Sequence, residues 1–452
     1  MSFGDRPPSV PLMRSLFLTV ILCAAGWTLG IAEVSASPAE IAKGPQTGAK
    51  PSARTDRLTG LSRDDLKRLA PHLERGPVAL IEFADVDTDA LPAIHIATTV
   101  HASAARVLEV VRKPEGYPRF LPTLDEVTVL GRGPQSIIYD WRWEMAVLEF
   151  AGRNTMTVYE PTASRLSDGY RVTIDSHSGD LGAGRIALRI IPTGDSTCTL
   201  TISMRMDLRE ANYVARQLAV AARSVNRSAN IALTYSMLLG FQLEAQRRDG
   251  YVAPEALPKG LLAPEIDSHA LIPLLMRGDV VMLDLAGASL ERVAVVGFVH
   301  HPRQLVRDTM LDAKSFGASL MPGASAEVVK QEGTTTTFAW EIDLPLVGVG
   351  GEMQMDGEDV IQIRATEGAL DGGRWLFDTK QFGGSTLVTA WARFDLSDSA
   401  WLVRKLAEVD KNLGHGLTVA SEVMLVRALR SRTSKRADEL AAAAALKKKK
   451  VK

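Results

Sequence analysis

Cysteine is scarce in this chain: there are two among 452 residues, and Cys23 falls inside an apolar N-terminal run, leaving Cys198 alone in the remainder. Once that run is removed no internal disulfide is possible, so stability must come from core packing. Cys198 lies in the strand-like stretch Thr197 to Met204, where a lone cysteine reads as a small buried hydrophobe rather than a reactive thiol. Histidine is sparse too. His101, His177, His300, His301 and His415 show no H-x-x-x-H or His/Cys spacing, so no metal site is indicated. His300-His301 precede Pro302 at a helix start, where a polar cap is the expected role. A G-x-S-x-G elbow is missing, and Gly182-x-Gly184 lacks both the third glycine and the following helix of a dinucleotide site, so no cofactor is expected. Excess charge of one sign is missing as well: Lys+Arg number 52 against Asp+Glu 53, which gives no broad attraction for nucleic acid.

Apolar residues, by contrast, make up 46% of the chain, enough for two or three packed cores. Arg14 precedes the uncharged apolar run Ser15 to Ala32, and Val34-Ser35-Ala36 supplies small residues at the positions a signal peptidase reads. Residues 1–36 are therefore expected to be a signal peptide, and the chain to be exported to the periplasm or cell envelope. The same run is near the minimum for a spanning helix, so an uncleaved membrane anchor stays open. Residues 37–57, rich in Pro, Ala, Gly, Lys and Ser, read as a flexible linker.

Beyond residue 58 the chain repeats itself. Arg75-Gly76-Pro77-Val78 returns as Arg277-Gly278-Asp279-Val280, Val100-His101 as Val299-His300, and Tyr139-Asp140-Trp141 as Phe338-Ala339-Trp340. Gly179 to Arg185 aligns with Gly368 to Arg374, and Asp207-Leu208, Tyr213 and Arg216 align with Asp395-Leu396, Trp401 and Arg404. Nearly constant separations kept in order over this length point to internal duplication. The units run over 58–250 and 265–436, joined by a Pro-containing linker, 251–264, and followed by an Ala/Lys-rich tail, 437–452.

Each unit reads alike. Ile94 to Val100 has the pattern of a strand and Ala102 to Arg112 that of a helix. Short strands with turns between them follow: Glu126 to Leu130, Ser136 to Met145, Asn154 to Glu160, Arg171 to Ser176, Gly184 to Ile191 and Thr197 to Asp207. A long helical segment closes each unit, Ala211 to Arg248 and Ser399 to Ser431. The fold class is α+β, with a curved antiparallel sheet packed on a long C-terminal helix in each unit. With Val100-His101-Ala102-Ser103 followed by Val107, Tyr117-Pro118-Arg119-Phe120-Leu121-Pro122 and the closing helix, the pattern resembles the START and polyketide-cyclase superfamily. Two tandem helix-grip domains follow from that resemblance, the second divergent because Gly317 to Leu320 replaces Tyr117 to Leu121.

The resemblance implies a cavity between sheet and helix for a hydrophobic small molecule such as a lipid, sterol, quinone or polyketide-like compound. Candidate lining residues are Trp141, Trp143 and Trp340 on strands, Phe120 at the corner, and Arg185 and Arg374 after the Gly-rich turns, where a guanidinium would meet a polar head. Each has a plain alternative: aromatics complete cores, and Arg185 pairs with an acid such as Asp180. Lys447, Lys448, Lys449 and Lys450 are candidates for contact with a membrane surface, or form a solvated terminus. Three readings remain: a carrier, a cyclase or hydrolase of the same fold, and an interaction module with filled cores.

Overall fold

The computed structural model describes residues 58–450 except 59, 84–92, 146–147, 163–166, 183, 209–210, 214–215, 217–222, 253–266, 287–288, 315, 317–323, 343–348, 358–359, 369 and 394–410. The signal-peptide and linker assignments over 1–57, the linker from 253 onward, Gly317 to Leu320, and Asp395, Trp401 and Arg404 lie outside the described residues.

The first unit opens with helix α1 (Arg63–Leu73), started by a reciprocal cap in which Ser62 accepts from the Asp65 amide and the Asp65 carboxylate accepts from the Ser62 amide. Strands β1 (Val78–Glu82) and β2 (Ile94–Val100) follow, then α2 (Ala104–Val111), capped by Ser103, and a 3-10 turn over Pro114–Arg119. A meander of β3 (Leu124–Arg132), β4 (Ser136–Met145), β5 (Leu148–Tyr159), β6 (Tyr170–Gly179), β7 (Gly184–Pro192) and β8 (Cys198–Met206) leads to helix α3 (Arg223–Arg248). The second unit has α4 (Ser268–Leu275), β9 (Gly278–Ala286), β10 (Ser289–Val299) and α5 (Arg303–Leu311). Its meander is β11 (Ala324–Glu332), β12 (Thr335–Ile342), β13 (Val349–Gly357), β14 (Ile361–Gly368), β15 (Arg374–Phe382) and β16 (Ser385–Arg393), closed by α6 (Lys411–Lys450). The last helix runs past the expected Ser431 through the alanine-rich tail, as alanine and lysine favour.

All sixteen strands form one antiparallel sheet, in the order β11-β12-β13-β14-β15-β16-β10-β9-β1-β2-β8-β7-β6-β5-β4-β3. Read outward from the middle, the halves have the same order, β1-β2-β8-β7-β6-β5-β4-β3 and β9-β10-β16-β15-β14-β13-β12-β11. They join through β1 and β9, with Leu80 opposite Val280. Apart from Asp279 and Asp284 of β9, both strands present mainly apolar side chains to two covered faces. Ala79, Ile81, Val281 and Leu283 point into the main core, while Val78, Leu80, Val280 and Met282 pack under α1 and α4 with Leu69, Leu271 and Leu274.

On the inner face α3 lies on β2 and β8, α6 lies on β10 and β16, and the two helices pack on each other. Gly416 permits this approach: a Cβ there would stand 2.7 Å from the Ala232 Cα. At the seam Asp279, 0% exposed, accepts from Arg427 Nε at 3.2 Å and from Arg430 Nη1 at 3.1 Å. Arg427 also donates to the Glu82 carbonyl at 3.3 Å, and Arg430 to the Phe298 carbonyl. Gly297 leaves the space this cluster needs, since a Cβ would fall within 2.4 Å of both Arg430 and Asp279. The seam is thus held by strand pairing and by charge.

Helix α6 also buries Glu422, 1% exposed, whose carboxylate oxygens have no hydrogen-bond partner among the described residues. Burial pushes its pKa up to about 8. The folded protein therefore holds a proton on this group that the unfolded chain releases between about pH 4.5 and pH 8, and stability falls as pH rises through that window. The loss is about 5 kcal/mol at its limit. Glu422→Gln is expected to flatten this slope, so that its melting temperature exceeds wild type by more at pH 8.5 than at pH 5.5 in paired thermal melts.

Candidate functional site

The first unit has a cavity of about 150 Å³ between the inner face of its sheet and α3. Alternation along β4 directs Tyr139, Trp141 and Trp143 to this side, and all three line it, with Ile174, Met204 and Met206 from other strands and Leu233 and Met237 from α3. The corner closes one end. Tyr117 is buried, its hydroxyl donates to the Val111 carbonyl, and Phe120 packs edge-on against Tyr117 and Phe241, with ring centres 5.8 and 5.9 Å apart. Phe120 is therefore a wedge between corner and α3, and it does not line the cavity.

Polar groups cross the sheet in one row. Tyr139 faces Asn154, Asn154 faces Ser176 and Ser176 faces Gly184 across successive strand pairs. Asn154 Nδ2 donates to the Tyr139 hydroxyl at 3.2 Å, and Ser176 to the Gly182 carbonyl at 3.4 Å. Burial pushes the Tyr139 phenol up to about 12, against the opposing effect of the Asn154 bond, so it is neutral at physiological pH. Asn154 Oδ1 and Trp141 Nε1 are buried with no hydrogen-bond partner among the described residues. A buried amide oxygen and indole N–H left unpaired each cost about 1–3 kcal/mol, so they are the natural contacts of an incoming polar group.

Trp141 depends on a glycine. It stands opposite Gly152, where a Cβ would come within 2.7 Å of the indole ring and 2.9 Å of the Ser178 carbonyl. The second unit repeats this arrangement: Trp340 stands opposite Gly351, is 3% exposed, and its Nε1 also has no partner among the described residues. In the same core Phe316 packs edge-on against Phe338 and Phe377.

The two arginines stand elsewhere than expected. Arg185 borders the cavity, but Gly184 and Ile186 take the inward positions of β7, and its Nε donates to Asp175 at 2.5 Å on the opposite face. The partner is Asp175, its cross-strand neighbour, rather than Asp180. Arg374 is exposed at the start of β15, and Arg364 occupies the place across from it that Asp175 holds in the first unit. The histidines do not cap α5: Pro302 is its cap residue, while His300 contacts Ser385 at 3.2 Å and His301 contacts Ser434 at 3.0 Å. Cys198 is buried, and its thiol is pushed up to about 12 by that burial. Among the described residues no group of three His, Cys, Asp or Glu is placed to hold a metal ion.

Sequence reasoning missed Asn154 and the methionines. A lone polar residue on a strand reads as solvent-facing, and only its position two residues from Gly152 marks it as inward.

Residues 100–231 match the family described as polyketide cyclase / dehydrase and lipid transport. Among solved structures, the chain is similar to the Zhui aromatase/cyclase from Streptomyces sp. R1128, with 16% identity over 35% of this chain and 94% of that one and a TM-score of 0.27. It is similar to the di-domain ARO/CYC StfQ from the steffimycin biosynthetic pathway, with 12% identity over 76% and 99% and a TM-score of 0.26. A STAR-related lipid transfer protein from Xanthomonas axonopodis matches with 11% identity over 36% and 90% and a TM-score of 0.29. No curated protein matches.

Gly152→Ala is expected to displace the Trp141 ring and to destabilise the protein by about 1–3 kcal/mol, as overpacking does. A urea melt followed by tryptophan fluorescence checks both, because the native emission maximum should shift along with the midpoint.

Proposed function

We propose, for a chain whose residues 100–231 belong to the START and polyketide-cyclase superfamily, that the first unit binds and carries a hydrophobic molecule in its sheet–helix cavity. The observation that carries this reading is the cavity itself: apolar walls from Trp143, Ile174, Met204 and Leu233, and two buried polar atoms, Trp141 Nε1 and Asn154 Oδ1, that lack partners among the described residues. Such a site pairs hydrophobic burial with a few orienting hydrogen bonds. About 150 Å³ is room for one ring or a short chain, comparable to cavities that hold benzene. A whole lipid, sterol, quinone or polyketide-like ligand would therefore seat one end there, with an oxygen against Trp141, and extend outward.

Carrying is favoured over turnover because the ionisable groups described along the cavity are Arg185 and Arg205, at outward positions of β7 and β8, and the Tyr117 and Tyr139 phenols, both held neutral by burial. Neither phenol has a pKa suited to general acid–base work near neutrality. Export through the N-terminal apolar run, and contact with an anionic membrane through Lys447 to Lys450, complete the proposal. In support of the latter, residues 438–446 of α6 are exposed and the helix continues to Lys450, so the lysines follow an arm that stands clear of the packed body.

Native mass spectrometry with solvent extraction, on protein from Ser37 onward purified from membrane-containing cells, is expected to find one lipophilic adduct per chain. Trp141→Ala should reduce its occupancy at least tenfold while the protein stays folded. A clean apo mass, together with no uptake of fluorescent lipids, would move the reading to an interaction module. Separately, vesicle flotation should recover the protein with anionic but not neutral vesicles. At about 1 kcal/mol per lysine near the surface, changing Lys447 to Lys450 to glutamine should abolish that recovery; unchanged flotation would refute the contact.

A further inference from the structure

On the outer face of the first unit, away from the cavity, a serine, a histidine and a glutamate stand in sequence. His95 of β2 lies directly across from Ser203 of β8, and alternation turns both outward, since Ile94, Ile96 and Ile202 point into the inner core. His95 Nδ1 is 2.8 Å from Ser203 Oγ. Its Nε2 is 3.2 Å from Glu82 Oε1, a contact lying off the N–H direction. Arg277 donates to Glu82 at 3.3 Å and to Asp65 at 2.8 Å. Burial works to raise the Glu82 carboxyl, but His95 and Arg277 outweigh it and hold the group below its usual value. An ionised Glu82 favours the tautomer with hydrogen on Nε2, which leaves the Nδ1 lone pair facing the serine hydroxyl.

A buried histidine needs partners, and His95 is 1% exposed. That need alone does not explain why Ser203 and Glu82 both line a groove of about 1310 Å³ with Thr201, Gly60, Arg189 and Arg277. Gly60 sits over the serine, which is 2% exposed, and a Cβ there would stand at ordinary contact distance, 3.4 Å, from Ser203 Oγ. Arg189, whose Nη1 donates to the Leu61 carbonyl at 3.1 Å, and Arg277, held by Asp65 and Glu82, line the same groove and give it positive charge for a developing oxyanion.

We propose that this groove is a second, esterolytic site in which Ser203 is the nucleophile toward a carboxylic ester. Ser203 Oγ adds to the ester carbonyl carbon and its proton passes to His95 Nδ1, giving a tetrahedral oxyanion opposite the guanidinium groups. Collapse breaks the ester C–O bond, and the leaving alkoxide takes the proton from Nδ1 and departs as the alcohol. Water, deprotonated by the same nitrogen, then attacks the acyl-serine; the acyl C–Oγ bond breaks, Oγ takes the proton back from Nδ1, and the carboxylic acid leaves with Ser203 and neutral His95 restored. Glu82 is a positioning residue: it fixes the tautomer and steadies the imidazolium without touching the substrate. The usual roles of the two ring nitrogens are exchanged, which the chemistry permits because either carries a lone pair in its own tautomer.

The test treats the full chain with a fluorophosphonate probe, maps the modified peptide by mass spectrometry, and follows p-nitrophenyl acetate hydrolysis. The expected result is a covalent adduct on Ser203, and loss of both adduct and hydrolysis in Ser203→Ala. Glu82→Gln should keep the adduct at Ser203 but form it at least tenfold more slowly, with an altered pH profile. Wild-type protein whose Ser203 stays unmodified overturns the proposal whether or not the variants fold, and so does a folded Ser203→Ala that hydrolyses the ester at the wild-type rate.

Discussion

The pairing of β1 with β9 is the constraint on which the rest of the architecture depends. It turns two eight-stranded halves into one sheet and sets α3 and α6 side by side over the join. A seam of two apolar strands would be specified only by hydrophobicity, which fixes register weakly when both faces are buried. Asp279 adds direction: a carboxylate at 0% exposure is tolerable only where Arg427 and Arg430 meet it, which ties the register of β9 to the position of α6. The two arginines also reach the Glu82 and Phe298 carbonyls and lie over the Phe83 ring, so strands from both units share the same pair of side chains.

Much of this was legible in the sequence, for identifiable reasons. Tyr139-Asp140-Trp141 and Phe338-Ala339-Trp340 were read as equivalent, and they occupy equivalent register positions opposite Gly152 and Gly351. The glycine-rich turns were legible because Gly179 and Gly368 both adopt positive φ against a neighbouring backbone, a conformation that side chains resist. Trp141 and Trp143 were placed on one face by period-two spacing, and both line the cavity.

What was not legible depended on contacts distant in sequence or on a single step of alternation. Arg185 was expected to enter the cavity, but β7 begins with Gly184 facing inward, which turns the arginine to Asp175. The Asp279 cluster joins residues 148 and 151 positions apart, and no local pattern announces it. His95 and Ser203 are 108 residues apart and meet only because β8 returns beside β2. Asn154 was missed because a polar strand residue ordinarily faces water, and only the cross-strand row with Tyr139 and Ser176 places it inside.

Binding in the first unit is the central claim, and it rests on two polar atoms in an apolar recess that have no partner among the described residues. A high-resolution crystal structure of protein purified without detergent from its membrane-containing source tests it most directly. The account predicts continuous non-protein density in the recess, with a polar atom within hydrogen-bonding distance of Trp141 Nε1 or Asn154. A recess closed by Leu233 and Met237 packing onto Trp143, with Trp141 Nε1 bonded to the protein itself, would contradict it.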